Sequence, residues 1–299
     1  MPRNPHLPDI KSPVIRHWGK APSTKFLEHL SAIKAKLIHA PPRKDLLNYA
    51  VPFGLATWEQ EPRNDYLEQE REEFLVKMFK GEVLPTVLES ITLIFQIENL
   101  DVVDVTHLLR HRSMSFSAHC TGDRDLRMDT ALIKPSIRSN PNLCAKVQQH
   151  IRDAKDLYVE MVDSYGIAMV DARTLLPRCF ENHYYLKVDL KSFIGYLHKR
   201  LDRQIQPESD NILAMKMLVE VAKIYPEIKH AIDLDKPDAF YCKTAPTNFA
   251  SNLYRPEKRN DTFDWKAQWF VYPFERKEMP GGRTFTHLWN ELRKELDAC

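Results

Sequence analysis

The run Thr92-Leu93-Ile94-Phe95-Gln96-Ile97-Glu98 is β-branched and aromatic and has the length of a buried strand. At Asp101 the period changes, and Val102, Val105, Thr106 and Leu109 recur at helical spacing. This apolar helix runs into three potential cations, Arg110-His111-Arg112, followed by small polar residues up to Asp123-Arg124. Successive helical side chains diverge by ~100°, so the three cannot share one face. They would grip two ligands, or one that wraps. His107, Arg110 and His111 do share a face by i, i+3, i+4 spacing, which sets donors beside one anionic group. The segment reads as a phosphate site, with a solvated basic patch as the plainer alternative.

At 299 residues the chain buries ~75% of its unfolded surface, enough for one large domain or two small ones. Hydrophobic residues at 43% and charged residues at 28% place it among ordinary globular proteins. A net charge of +2, from 43 Lys and Arg against 41 Asp and Glu, argues against a dedicated nucleic-acid binder. Five cysteines, Cys120, Cys144, Cys179, Cys242 and Cys299, form no CxxC pair, and their odd number fits a reducing cytoplasm. No run reaches the ~18 apolar residues of a membrane span, and Met1-Pro2-Arg3-Asn4-Pro5 lacks a signal peptide's apolar core. A cytoplasmic protein with no membrane contact is expected.

Residues 1–23 read as a proline-rich arm. Phe26, Leu27, Leu30, Ile33, Leu37 and Ile38 predict a short amphipathic helix stopped by Pro41-Pro42. A second helix is expected over 68–79, with Gly81 as its stop. Residues 113–146 read as mostly irregular, with Gly122, Pro135 and Pro141 as breakers, followed by a long helix over 145–165. Tyr184 to Val188 predicts a strand, and Asp189 caps a helix from Leu190 to about Gln204 with Ser192 at N3. Ile212 to Ile224 is a largely apolar helix ending before Pro226. Beyond 235 the chain is aromatic and proline-punctuated, with Phe240-Tyr241, Trp265 and Trp269 to Phe274. Phe285, Leu288, Trp289, Leu292 and Leu296 predict a closing amphipathic helix.

Two arginines stand out. Arg173, between Ala172 and the Leu175-Leu176-Pro177 corner, presents one fixed cation at an element's end, or is an ordinary surface arginine. Arg200 shares a helix face with Phe193, Tyr196 and Leu197, so its charge points among apolar neighbours. Leaving it unpaired there would cost several kcal/mol. A carboxylate such as Glu208 is one solution, and an anionic or imide-bearing ligand is the other. No sequence cue places a general base beside Cys120 or Cys179.

These pieces together resemble the flavin-dependent thymidylate synthases. The resemblance rests on Leu88-Glu89, the strand through Phe95 to Glu98, Arg110-His111-Arg112 with Ser115, Ala172-Arg173 with Leu176-Pro177, and Leu190, Ser192, Leu197, Arg200, Leu201, Asp202, Gln206 and Glu208. It covers residues 80–210, and more loosely 45–235. It implies an α+β fold, a curved β-sheet packed with long helices in one domain carrying N- and C-terminal extensions. The corresponding division is 1–44 for an arm and short helix, 45–235 for the catalytic domain, and 236–299 for an aromatic extension. It further implies a homotetramer with sites between subunits and no metal.

By the same resemblance FAD is the cofactor, with NADPH as reductant, methylenetetrahydrofolate as one-carbon donor and dUMP as acceptor. Arg200 would be catalytic, polarising the uracil. His107, Arg110, Cys120, Arg173, Arg200 and Gln206 would contact the nucleotide, and Arg110, His111, Arg112, Ser113, Asp189, Lys191, Gly195 and Gln204 the flavin. His107 stands where the family has a glutamine, Cys120 where it has a serine, and Gly122 where it has an arginine. Asp189, Lys191 and Gly195 also replace family residues on the flavin side, and Ser90 replaces a histidine. Alternatives in keeping with these departures are a flavoenzyme making another C5-modified pyrimidine, such as hydroxymethyl-dUMP, and a non-catalytic nucleotide-binding homologue.

Overall fold

A computed structural model describes residues 19–56, 65–119, 121–122, 124–201, 207–234 and 282–299. The expectations for residues 1–18, Cys120, Gln204, Gln206 and the aromatic stretch from Phe240 to Phe274 lie outside them. In chain order the elements are β1 (Phe26–Glu28), α1 (His29–Ala32), β2 (Lys34–His39), α2 (Arg43–Leu55), α3 (Glu68–Lys80), α4 (Thr86–Glu89), β3 (Thr92–Leu100) and α5 (Val102–Leu108). Then come β4 (Ser115–Ala118), β5 (Ala131–Ile133), α6 (Pro135–Arg138), α7 (Pro141–Asp163), α8 (Met169–Ala172), β6 (Asn182–Asp189), α9 (Leu190–Arg200), α10 (Glu208–Ala222) and α11 (Gly282–Ala298).

The expected central strand is β3. Its alternating residues Leu93, Phe95 and Ile97 are fully buried, while Thr92, Ile94, Gln96 and Glu98 on the other face are half-buried. It pairs antiparallel with β2 on one side and β6 on the other, and β4 completes a sheet of order β2-β3-β6-β4. β1 and β5 form a separate parallel pair. The inner face of the sheet carries Tyr184, Leu186 and Val188 of β6 against Phe193, Tyr196 and Leu197 of α9 and the apolar body of α10. Phe95 and Phe193 meet across this interface with ring centroids 5.4 Å apart. The architecture is the expected α+β class in a single domain.

One expected helix is replaced. Residues 26–38 form two strands flanking a single helical turn, α1. Lys34-Ala35-Lys36-Leu37 alternates, so pairing with β3 places Ala35 and Leu37 against the core and both lysines in solvent. The apolar positions satisfy a helical period as well, and the unpaired edge of β3 decides between them. Two prolines read as breakers instead open helices. Pro135 starts α6, and Pro141 stands at N1 of α7 behind the cap Asn140, whose side chain accepts from the Leu143 amide at 3.1 Å. Helix α7 therefore begins earlier than its apolar pattern, and Tyr165 lies beyond its end, exposed.

The closing helix α11 packs on α10 and α1. Phe285, Trp289, Leu292 and Leu296, at i, i+4, i+7 and i+11, are buried in the central core, with the Phe285 and Trp289 rings stacked 5.8 Å apart. Trp289→Ala is expected to destabilise the protein by ~3–5 kcal/mol in urea unfolding. A change below ~1 kcal/mol would mean that α11 docks without contributing to the core.

A buried polar frame fastens the segment after β4 to α7. The fully buried Arg127 donates to Asp125 at 2.7 Å and, through both terminal nitrogens, to Asp163 at 2.8 and 2.7 Å. Lys155, also fully buried, donates to the carbonyls of Ser23 (3.0 Å), Arg127 (3.2 Å) and Asp129, with its ammonium 4.9 Å from the Phe180 ring centroid.

Candidate active site

Helix α5 starts at Asp101, whose side chain accepts from the Asp104 amide at 2.9 Å, and stops at Leu108. Arg110, His111 and Arg112 thus lie in the turn between α5 and β4, anchored by the buried Met114, and not on the helix. The turn separates the three side chains. Arg110, Arg112 and Ser113 face solvent, whereas the half-buried His111 turns inward, edge-on to Tyr196 at 4.9 Å. The shared face expected for His107, Arg110 and His111 holds for the two histidines only, since both converge on Arg200.

Arg200 is the last residue of α9. Its Nε donates to His111 Nε2 at 2.9 Å, Nη1 to Asp210 Oδ2 at 2.8 Å, and Nη2 to the His107 carbonyl at 2.8 Å. The same carboxylate oxygen lies 3.1 Å from His107 Nδ1. The charge among apolar neighbours is thus met by a carboxylate, that of Asp210, two residues beyond the Glu208 expected as an example. A polar triplet, Ser209-Asp210-Asn211, at the head of an apolar helix was its only signal. The Arg200 side chain keeps 11% exposure and Asp210 5%, so the pair is nearly dry at one edge of the site.

Because the Arg200 Nε–H can only donate, His111 Nε2 must be the acceptor, and the ring is neutral with its proton on Nδ1. Burial, together with the positive charges of Arg200 and Lys199, holds His111 down at about 4. The unfolded ring binds a proton at higher pH than the folded one. This contribution to stability is therefore present above the ordinary histidine pKa and lost as pH falls towards 4. Thermal melts between those limits are expected to fall with pH in the wild type and to be flatter in His111→Gln. Burial also pushes the Tyr196 hydroxyl up, keeping it protonated.

The remaining expected residues form two further groups. Asp189 is the N-cap of α9, accepting from the Ser192 amide at 2.8 Å, and Lys191 pairs with Glu89 of the short helix α4. One turn on, a Cβ added at Gly195 would meet nothing within 4 Å. Open space thus lies between Lys191 and Lys199 on the outer face of α9, both exposed. Arg173 lies elsewhere. It donates to the Thr121 hydroxyl and, at 3.2 Å, to the Val170 carbonyl. A Cβ on Gly122 would come within 3.2 Å of Arg173 Nη1 and 3.3 Å of Val170 Cγ2. Arg173 therefore fills the neighbourhood in which the resemblance leads one to expect an arginine at position 122. Burial pushes the Cys179 thiol up to about 11, which leaves it unsuited to be a nucleophile.

The model of the family described as "Thymidylate synthase complementing protein" (Thy1) matches residues 37–227, well over half of the chain. The chain belongs to this family. Among its relatives, the flavin-dependent thymidylate synthase of Thermococcus onnurineus is 29% identical over 171 residues, 56% of this chain and 68% of that protein. The flavin-dependent thymidylate synthase of Pyrococcus furiosus is 28% identical over 181 residues, 58% of this chain and 73% of that one. Among solved structures, the UMP/dUMP methylase PolB from Streptomyces cacaoi, bound with 5-Br dUMP, superposes with a TM-score of 0.58 at 17% identity, covering 69% of this chain and 96% of that one. The two clusters and the Gly195 face all lie inside the part that matches the Thy1 family. Helix α11, by contrast, lies beyond it, although it packs on the same core. Among the described residues no helix is long and apolar enough to cross a membrane.

Proposed function

We propose that this Thy1-family protein methylates dUMP at C5, taking the one-carbon unit from methylenetetrahydrofolate with FAD as cofactor and NADPH as reductant. The observation that carries the reading is the clamped Arg200. A permanently charged guanidinium, held by three separate groups in a nearly dry environment, stabilises negative charge that develops on a pyrimidine as C5 becomes nucleophilic. The family and the names of its relatives supply the substrate class.

The residues present suit a flavin dinucleotide. Arg110 and Arg112 on the turn, and Lys191 and Lys199 flanking the bare strip at Gly195, offer cations for a diphosphate and room for close approach. Ser113, exposed on the same turn, and Asp189, which already serves as a helix cap, are the further residues that the family pattern assigns to the flavin. When bound, FAD would supply redox chemistry as hydride carrier. Arg200 orients and polarises the base, neutral His111 keeps Arg200 aimed without competing for the proton, and the protonated Tyr196 backs the imidazole.

The sites are formed between subunits of a homotetramer in this reading. Arg173 and Arg200 both correspond to dUMP arginines, yet within one chain they belong to opposite ends of the β4–β6 pair. The four residues of β4 span ~13 Å between the Arg110–Arg112 turn and Thr121. A nucleotide touching both kinds of arginine is accommodated when a second copy supplies one of them. The outer sheet face, with Lys34, Lys36, Ser115, Ser117, Lys187 and the 51% exposed Tyr185, leaves a broad surface for such packing.

Purified protein is expected to be yellow, to bind FAD, and to convert dUMP with methylenetetrahydrofolate and NADPH to a product in which a methyl group has replaced the C5 hydrogen. No flavin binding at high micromolar FAD would sink the flavoenzyme reading. A product carrying hydroxymethyl would replace methylation by the second chemistry, and a monomer in light scattering at assay concentration would remove the composite site.

A further inference from the structure

The first turn of α10 carries three consecutive polar residues that are almost wholly buried: Ser209 at 4%, Asp210 at 4% and Asn211 at 0% exposure. Burial of such groups is costly unless each is hydrogen-bonded, and each is bonded to a different part of the site. Ser209 Oγ donates to Asp104 Oδ1 at 2.6 Å. Asp210 accepts from Arg200 and faces His107, as described above. Asn211 Nδ2 donates to the backbone carbonyl of Arg200 at 2.6 Å.

Asp104 and His107 stand one turn apart on α5, so one face of that helix meets two successive residues of α10. Asp104 is itself fixed, with His29 Nε2 at 2.6 Å and Lys134 Nζ at 3.6 Å, while Lys134 reaches Asp101 at 2.9 Å. Burial opposes the Asp104 charge, but the His29 hydrogen bond and the neighbouring cations hold its carboxyl below the usual range. Two helices are therefore interlocked by buried polar pairs, and the residue between them, Arg200, is held at both its carbonyl and its guanidinium.

We propose that Asp210 is a positioning residue: it sets the aim of Arg200, with Ser209 and Asn211 fixing the helical turn that carries it. The proposal rests on the functional reading above, in which Arg200 acts on the pyrimidine. An arginine at a helix end has a long side chain with many rotamers open to it. Asp210 removes that freedom before substrate arrives, and His107, sharing the same oxygen, holds the carboxylate in turn. Misplacement of a charge by ~1 Å is enough to lower turnover ~10²-fold.

The test combines arginine footprinting with kinetics. In wild-type protein without nucleotide, phenylglyoxal followed by peptide mass mapping is expected to modify the exposed Arg110 and Arg112 and to spare Arg200. In Asp210→Asn, Arg200 is expected to become reactive, and kcat to fall ~10²-fold with a smaller change in KM, in protein that still folds but melts at a lower temperature than wild type. Asp210→Glu, which restores the charge one methylene farther out, should recover part of both the protection and the rate. Arg200 modified in the wild type as fast as Arg112 would overturn the proposal even if no variant folds. An Asp210→Asn protein with protected Arg200 and unchanged kcat would overturn it as well. Wild-type protein that neither binds nor converts dUMP would instead overturn the functional reading, because the footprint is taken without nucleotide and still decides whether Arg200 is clamped.

Discussion

Arg200→Lys should leave the protein folded and remove nearly all turnover. Lysine keeps the positive charge, so Asp210, 5% exposed, is not abandoned in a nearly dry environment. An ammonium cannot, however, direct separate donors at once to His111, Asp210 and the His107 carbonyl while facing a planar base, because it lacks the rigid fork of guanidinium. Arg200→Ala removes charge as well. It leaves the Asp210 carboxylate with His107 as a remaining partner, and loss of the buried pair costs ~3–5 kcal/mol. The two variants together separate roles. Activity lost in both, with a large drop in melting temperature only in alanine, is the expected pattern. An Arg200→Lys enzyme retaining more than about a tenth of wild-type kcat/KM would remove less than ~1.4 kcal/mol of transition-state stabilisation, too little for a residue that polarises the base.

The second large effect is expected far from this cluster. Arg127→Ala should destabilise the protein by ~3–5 kcal/mol, because it leaves Asp125, with a 1% exposed side chain, as a buried carboxylate without its guanidinium. Urea unfolding followed by circular dichroism would measure it. Arg127 also draws the Asp163 carboxyl below its ordinary range through their hydrogen bonds. That part of the stability is present above the ordinary carboxylate pKa and is lost as pH falls through the lowered one. The variant should accordingly show a weaker loss of stability on acidification than the wild type. Since residues 125–129 lie a few residues beyond the Thr121–Gly122 segment that meets Arg173, which the proposed function assigns to the nucleotide, dUMP affinity should weaken along with stability. A variant as stable as wild type would show that the Arg127 network contributes no net stabilisation.

What was legible in the sequence is what depends on neighbours within a few residues. The alternation of β3, the left-handed stop at Gly81 with φ +74°, the Asp189 cap and the apolar face of α11 are all local, and each stands where it was expected. The order and spacing of Arg110-His111-Arg112, Arg173 and Arg200 pointed to the Thy1 family for the same reason, as a pattern carried by the chain itself. Elsewhere two local solutions were open and packing chose between them. Lys34 to Leu37 fits both a helix and a strand, and the free edge of β3 made it a strand. Pro141 was decided locally instead, because the Asn140 cap directly before it makes it the opening of α7. That a carboxylate near Glu208 could meet Arg200 was readable, but not that it is Asp210. Asp210 lies ten residues from it, but the other groups that meet the pair, His107 on α5 and His111 in the turn beyond it, are brought back by the fold from about ninety residues earlier. Sequence periodicity reports which face of an element is apolar; the depth at which a charge is buried, and which distant carboxylate or imidazole meets it there, are fixed only when the helices pack.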